Sequence, residues 1–184
     1  MITQWRQART LTEVPEDEGI AWAVPNVSAA AAVDTNKLKL VQELESLANT
    51  TYNRAGVMTT FTNQLVLSNF GFTVTGPIHG IEIEVISQRR NRICDKRIRL
   101  YLNGRIGKDR SQKSGWMDPY MNFVGTCEND FIYGAADDLW EVNLTDTIVN
   151  DPAFGILLQF ESHPVTPHKD PLFIEQVSMR VHYG

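Results

Sequence analysis

Phe173-Ile174-Glu175-Gln176-Val177-Ser178-Met179-Arg180-Val181-His182-Tyr183 is a run in which apolar and polar residues alternate. Val177, Met179, Val181 and Tyr183 fall on one side of an extended chain, and Ser178, Arg180 and His182 on the other. A period of two marks a strand with one buried face and one wet face. The end of the sequence is therefore expected to be tied into a sheet instead of trailing as a tail.

The same rhythm recurs upstream. Gly80 to Ser87 turns Ile81, Ile83 and Val85 one way and Glu82 and Glu84 the other, and Arg97 to Leu102 repeats it with positive charge before the turn dipeptide Asn103-Gly104. If these two runs pair as neighbours across the polar connection Gln88 to Lys96, Glu82 and Glu84 are expected to face Arg97 and Arg99. Leu65 and Leu67 alternate ahead of Asn69-Phe70-Gly71-Phe72, and Phe131-Ile132-Tyr133 reads as another limb. Gly155 to Glu161 is apolar on both faces at its start, as a central strand is. Thr145 to Asn150 suits a short helix or a brief strand, stopped by Asp151-Pro152. The expected fold is all-β, an antiparallel β-sandwich of jelly-roll-like type with an irregular N-terminal arm.

Residues 37–184 are assigned to the sandwich and 1–36 to the arm or extension. Pro15 to Gly19 is an acidic turn, and Ser28 to Val33 is nearly all alanine, which suits a short helix or a closely packed extended arm. Trp5, Ile20, Trp22 and Val24 would sit badly in water. Two readings stand: an extended segment packed on its own domain, or an arm docking on a neighbouring subunit through Trp5 and Trp22. Leu38, Leu40, Val41, Leu44 and Leu47 fit helix and strand equally, and Asn49 to Gly56 is a loop by composition.

The chain has 184 residues, 42% of them hydrophobic and 21% charged, as in an ordinary soluble domain. A net charge of −5 argues against nucleic acid held over the whole surface, which needs Lys and Arg in excess. No apolar run approaches the roughly 20 residues of a membrane span, and Met1 to Arg6 lacks a signal-peptide layout. Cys94 and Cys127 form no Cys-x-x-Cys pair, so reduced thiols fit better than a disulfide.

Motifs of catalysis are missing: no Gly-x-Ser-x-Gly elbow, no His-Glu-x-x-His, no phosphate loop. No enzyme activity, cofactor or metal is expected. His79, His163, His168 and His182 are scattered. Asp137, Asp138, Asp146, Asn150 and Asp151 are read as turn and cap chemistry in preference to a calcium site. Glu82, Glu84 and Glu175 are read as a solvated sheet face, not a glycosidase pair. Arg89, Arg90 and Arg92 lead the one strongly basic stretch and are candidates for contact with an acidic neighbouring subunit. Trp116, Tyr120 and Trp140 could stack on a sugar, but aromatics in the loops of a sandwich more often close the ends of its core, and Leu139-Trp140 after two aspartates is read as such a plug.

The order Leu65-x-Leu67-x-Asn69-Phe70-Gly71-Phe72, Ile78-x-Gly80-Ile81-x-Ile83-x-Val85, Leu100, Tyr133-Gly134-x-x-x-Asp138-Leu139-Trp140, Val149-Asn150-x-x-x-Phe154-Gly155-Ile156 and Val177-x-Met179-x-Val181-x-Tyr183 resembles a β-sandwich module of tailed-bacteriophage virion proteins. Such modules occur in capsid decoration, collar and tail-appendage proteins, and the resemblance covers residues 64–184. It implies a non-enzymatic virion structural protein made in the host bacterial cytoplasm. The partners implied are other virion proteins, either the major capsid protein or collar and tail subunits, in a homo-oligomer with neither nucleic acid nor membrane. Capsid decoration and stabilisation is the first expectation, and a collar or tail module that touches host glycan is the alternative.

Overall fold

The computed structural model describes residues 1–17, 19, 22–23, 38–40, 44–45, 60–89, 93–104, 106–111, 130–162, 169–170 and 172–184. The described strands are β1 (Arg6–Gln7), β2 (Thr10–Val14), β3 (Trp22–Ala23), β4 (Leu38–Leu40), β5 (Leu44–Glu45), β6 (Thr60–Phe61), β7 (Gln64–Ser68), β8 (Ile78–Arg89), β9 (Ile93–Tyr101), β10 (Asp130–Gly134), β11 (Gly155–Ser162), β12 (Lys169–Asp170) and β13 (Leu172–Tyr183). One helix, α1 (Asp146–Asn150), precedes β11. Among the described residues no helix is long and apolar enough to cross a membrane.

Two antiparallel sheets carry the fold. In the first, β10, β8 and β13 run side by side, and β13 takes both β1 and the β4–β3 pair along its far edge. In the second, β2, β7, β11 and β9 run side by side, with β6 continuing the line of β7. After the Asn103-Gly104 turn, segment 106–111 returns along β9: Ile106 N donates to Leu100 O (3.1 Å) and Arg110 N to Ile98 O (2.8 Å). Taken in chain order, β1, β7, β8, β9, this return segment, β10, β11 and β13 stand first–eighth–third–sixth in one sheet and second–seventh–fourth–fifth in the other. That order is the jelly-roll wrap of a β-sandwich.

The wrap rules out pairing between the runs 80–87 and 97–102. β8 lies between β10 and β13, whereas β9 lies in the opposite sheet against β11, so the connection between them crosses from sheet to sheet. Glu82 and Glu84 therefore do not face Arg97 and Arg99. Each strand had an apolar face suited to any partner sheet, and alternation alone carries no partner choice.

The inward residues of both sheets form one core. Ile81, Ile83 and Val85 of β8, Val177, Met179 and Val181 of β13, Leu65 and Leu67 of β7, Ile98 and Leu100 of β9, and Ile156, Leu158 and Phe160 of β11 are all buried in it. A bulge shapes this set: Arg97 pairs Gln159 and Asp95 pairs Phe160, leaving Lys96 as the extra residue. Alternation is thereby reset, and the buried Asp95 accepts a hydrogen bond from Tyr133 of the other sheet. At Gly155, where the chain enters β11, a Cβ would lie 1.9 Å from Leu67 O, so only glycine lets β7 and β11 approach. Thr145 caps α1 by accepting from Ile148 N (3.2 Å), which settles this stretch as helix.

The N-terminal residues are also part of the sandwich. Thr3 N donates to Val181 O (2.9 Å), β1 pairs with β13, Ala8 is fully buried, and β2 pairs with β7 over five residues. A boundary between arm and sandwich at 36/37 thus cuts through both sheets. Among the described residues of this stretch only Ala8 and Leu11 contribute to the core, which is why it looked unlike a strand in the sequence. In 37–63, the described residues other than Thr62 and Asn63 lie in short strands.

Candidate functional site

Two polar groupings lie on the outer faces of the sheets. On the first sheet, the cross-strand pair Glu82–Arg180 is bidentate: Arg180 Nε donates to Glu82 Oε2 (2.6 Å) and Nη2 to Oε1 (3.0 Å). His182 Nε2 stands 2.5 Å from the same Oε2. The Arg180 bond, the largest influence, holds the Glu82 carboxyl below its ordinary value, with burial opposing and the His182 contact assisting. Glu82 in turn raises Arg180. Trp5 comes onto this face from the N-terminal segment, its ring centre 4.4 Å from the Arg180 guanidinium carbon. One step along the ladder, Gln176 Nε2 donates to Glu84 Oε2 (3.3 Å) and to Ser178 Oγ (2.8 Å). A wall closes the end nearest His182: a Cβ on Gly80 would lie 2.4 Å from Ala135 O, so the Ala135-Ala136 turn lies directly on Gly80.

The face expected to be wet is thus half-buried. Ser178 is 1% exposed, and the Glu82 and His182 side chains are 13% and 17% exposed. The periodicity marked which residues face outward but could not show that the N-terminal segment and their own mutual bonds shelter them.

On the second sheet, β2 ends in a turn closed by Gly19 N to Glu16 O (2.9 Å), which lays Glu16 over the polar end of β11. The Glu16 carboxylate accepts from Arg97 Nη1 (2.7 Å), Gln159 Nε2 (2.7 Å) and Gln64 Nε2. Asn63 Oδ1 accepts from Glu16 N (3.1 Å), and Asn63 Nδ2 donates to Glu13 Oε1 (2.8 Å). Burial pushes the Glu16 carboxyl up, but the Gln159 bond with Arg97 and Lys96 outweighs it, and the net shift is downward. Lys96, aimed by the bulge, rests 3.1 Å above the Phe61 ring centre. Burial pushes its ammonium down, against the pull of Glu161 and Glu16. This grouping is a clasp that fastens the N-terminal segment to its own sheet.

Among the residues singled out in the sequence, Trp140 is the core plug that the sequence suggested, and its candidacy for sugar contact falls. It is fully buried, its Nε1 donates to Ile81 O (3.0 Å), and its backbone N is held by Asp138 Oδ1 (2.7 Å). A ring packed on all sides has no face for a sugar, so Trp140 closes the core instead. Trp5 packs on Arg180 of its own chain. Trp22 lies in β3 and Arg89 ends β8, but the side chains of both lie outside the described residues, as do Arg90, Arg92, Trp116 and Tyr120 altogether. The acidic group divides into separate structural roles, some within a turn and some between distant segments. Asp138 takes Arg110 Nη2 (2.6 Å) and Trp140 N, Asp146 takes Thr147 N (2.7 Å), Asn150 brackets Val74, and Asp151 takes Ala153 N (2.8 Å). Among the described residues no three His, Cys, Asp or Glu side chains group as metal ligands.

No protein-family model, curated protein or solved structure matches this chain.

Proposed function

We propose that this chain is a structural protein of a tailed-bacteriophage virion, without catalytic activity, which binds other virion subunits as a capsid decoration or stabilising protein. The observation that supports the reading is the jelly-roll wrap, together with the residues that build it. Leu65, Leu67, Phe70 and Phe72, the Ile81–Ile83–Val85 and Val177–Met179–Val181 rows, Tyr133, Trp140, Phe154 and Ile156 carry the resemblance to virion modules, and all lie in the core. The body suits the role because both sheets are pinned along one side by residues 1–14 and the polar outer faces are held by internal bonds.

A subunit of this kind gains firm attachment by repetition, since many modest contacts around a symmetric shell act together. The test is to add the purified protein to shells that lack it. Saturation at a symmetry-related copy number, with a rise in the shell's resistance to heat or low salt, is the expected result. The reason is linkage: a ligand of the assembled shell that ignores free subunits shifts the equilibrium toward the shell. Shells that neither bind the protein nor change in stability overturn the decoration role.

A further inference from the structure

We propose that the free edge of β10 is a self-association site, where a second copy of this chain pairs its own β10 antiparallel, centred on Ile132. The β10–β8–β13 sheet then continues from one copy into the next. This goes beyond the virion role, which does not require it.

The backbone bonds decide which groups of β10 are open. Val181 spends its N and O on Thr3, on the side of β13 away from β8. Ile81, opposite Val181, likewise turns both groups away from β13: its N donates to Asp138 O and its O accepts from Trp140 Nε1. Backbone groups alternate in direction along a strand, so Ile83 and Val85 also point toward β10 and take their register partners Tyr133 and Phe131. Asp130, Ile132 and Gly134 therefore turn their N–H and C=O outward, and among the described residues nothing meets those of Ile132. The Ile132 side chain, at the middle of this edge, is 45% exposed. Phe131, on the inward side, is only partly buried, its ring centre 4.8 Å from that of Tyr133.

An open edge is ordinarily blunted by charge, Pro or a bulge. The return segment 106–111 bordering the second sheet carries Lys108 and Arg110, with Lys108 N spent on Trp140 O, and β2 on the other border carries Glu13. Phe131-Ile132-Tyr133 has no such guard, and its register against β8 is unbroken. A second copy suits this edge because the edge is complementary to itself. With a two-fold axis at Ile132, the two Ile132 residues face each other, Phe131 falls opposite Tyr133, and Asp130 falls opposite Gly134, so no acid faces an acid. Ile86 lies diagonal to Ile132, and the axis joins two such pairs into one apolar strip on the outer face. The two Glu84 residues stand three strand spacings apart, about 14 Å, beyond the roughly 8 Å reach of charges at physiological salt. A short edge covers less than the roughly 800 Å² per partner of a stable complex, so the dimer is expected to be weak, with a Kd of about 10–100 μM.

The experiment is sedimentation velocity of the full chain from about 1 to 500 μM, a range that spans this affinity. A reversible monomer–dimer equilibrium is expected, and Ile132→Lys should be monomeric throughout at unchanged melting temperature. Cross-linking checks the register in a Cys94→Ser, Cys127→Ser background. Ile132→Cys should give disulfide-linked dimers under mild oxidation, because a hydrogen-bonded antiparallel pair sets its Cα atoms about 5.5 Å apart, within disulfide reach. Asp130→Cys should not, since Gly134 stands opposite it. The proposal is overturned by a parent chain that stays monomeric, by a dimer that Ile132→Lys leaves intact, or by cross-linking no better at 132 than at 130. Should Ile132→Lys not fold, the cross-linking comparison decides alone. A monomeric parent whose binding to shells is lost in Ile132→Lys also overturns it, by showing that another protein's strand takes the edge. Dimerisation is read on the free protein and shell stabilisation on particles, so each can fail without the other.

Discussion

Trp140 and Gly134 depend on one another at the level of single atoms. Gly134 has φ +79°, and a Cβ there would meet Ile81 O at 2.2 Å, the same oxygen that accepts from Trp140 Nε1. Gly134→Ala should therefore disturb the Trp140 seat as well as strain the backbone, and near-ultraviolet circular dichroism and the melting temperature are both expected to fall. Trp140→Phe keeps an aromatic ring but opens space in the core and removes the indole donor to Ile81 O, a loss of at least about 1–3 kcal/mol in urea unfolding. Val181→Asp puts a carboxylate into a fully buried position, and a cost of about 3–5 kcal/mol is expected to leave little folded protein. His182→Asp is not silent, although it lies on the outward side of the same strand. Its carboxylate would replace the ring that contacts Glu82 and repel it, and a smaller drop in melting temperature is the expected outcome.

Residues 1–19 behave as an element with two attachments. Backbone pairing ties them to β13 and then to β7, and the Glu16 carboxylate fastens the exit turn to Arg97, Gln159 and Gln64. Deleting residues 1–14 exposes the edges of β13 and β7 together, so the truncated chain is expected to be aggregated or unfolded in light scattering. A folded, soluble truncation would show that the segment is an appended arm after all. Glu16→Gln is milder. It removes the charge that Arg97 and Lys96 face, and faster proteolysis within the N-terminal segment is expected, with the rest of the sandwich unaffected.

Across the whole molecule, acid acts on both outer faces at once. Glu16 and Glu82 are each held below the ordinary carboxyl value of 4.5 in the folded chain. Between the folded and unfolded values the unfolded chain binds more protons, so stability falls as pH falls. The contribution of both groups is fully present above about pH 4.5 and is lost as the pH drops through their lowered values. Melting temperature measured from pH 7 to 3 should therefore decline below pH 4.5, and Glu16→Gln with Glu82→Gln should flatten that decline while lowering the plateau. An unchanged slope in the double variant would show that other carboxyls govern the acid limb.

Alternation in the run ending at Tyr183, in Gly80–Ser87 and in Gly155–Glu161 was enough to determine a sandwich and most of its core, because burial on one face of a strand imposes a period of two on the sequence itself. The cap at Thr145 and the turn bonds of Asp138 to Trp140 N, Asp146 to Thr147 N and Asp151 to Ala153 N were legible for a similar reason: these partners lie within a few residues. What the sequence by itself could not determine was every relation between distant elements. That β8 pairs β13 and not β9, that residues 1–14 belong to both sheets, and that Trp5, Arg180, Glu82 and Gln176 meet on one face were decided by the tertiary structure. An apolar face fits any partner of matching period, and a polar residue carries no record of which distant strand will stand opposite. The jelly-roll wrap makes that choice by carrying the chain back and forth between the two sheets, and contacts such as Glu82–Arg180, 98 residues apart, exist only once it has closed.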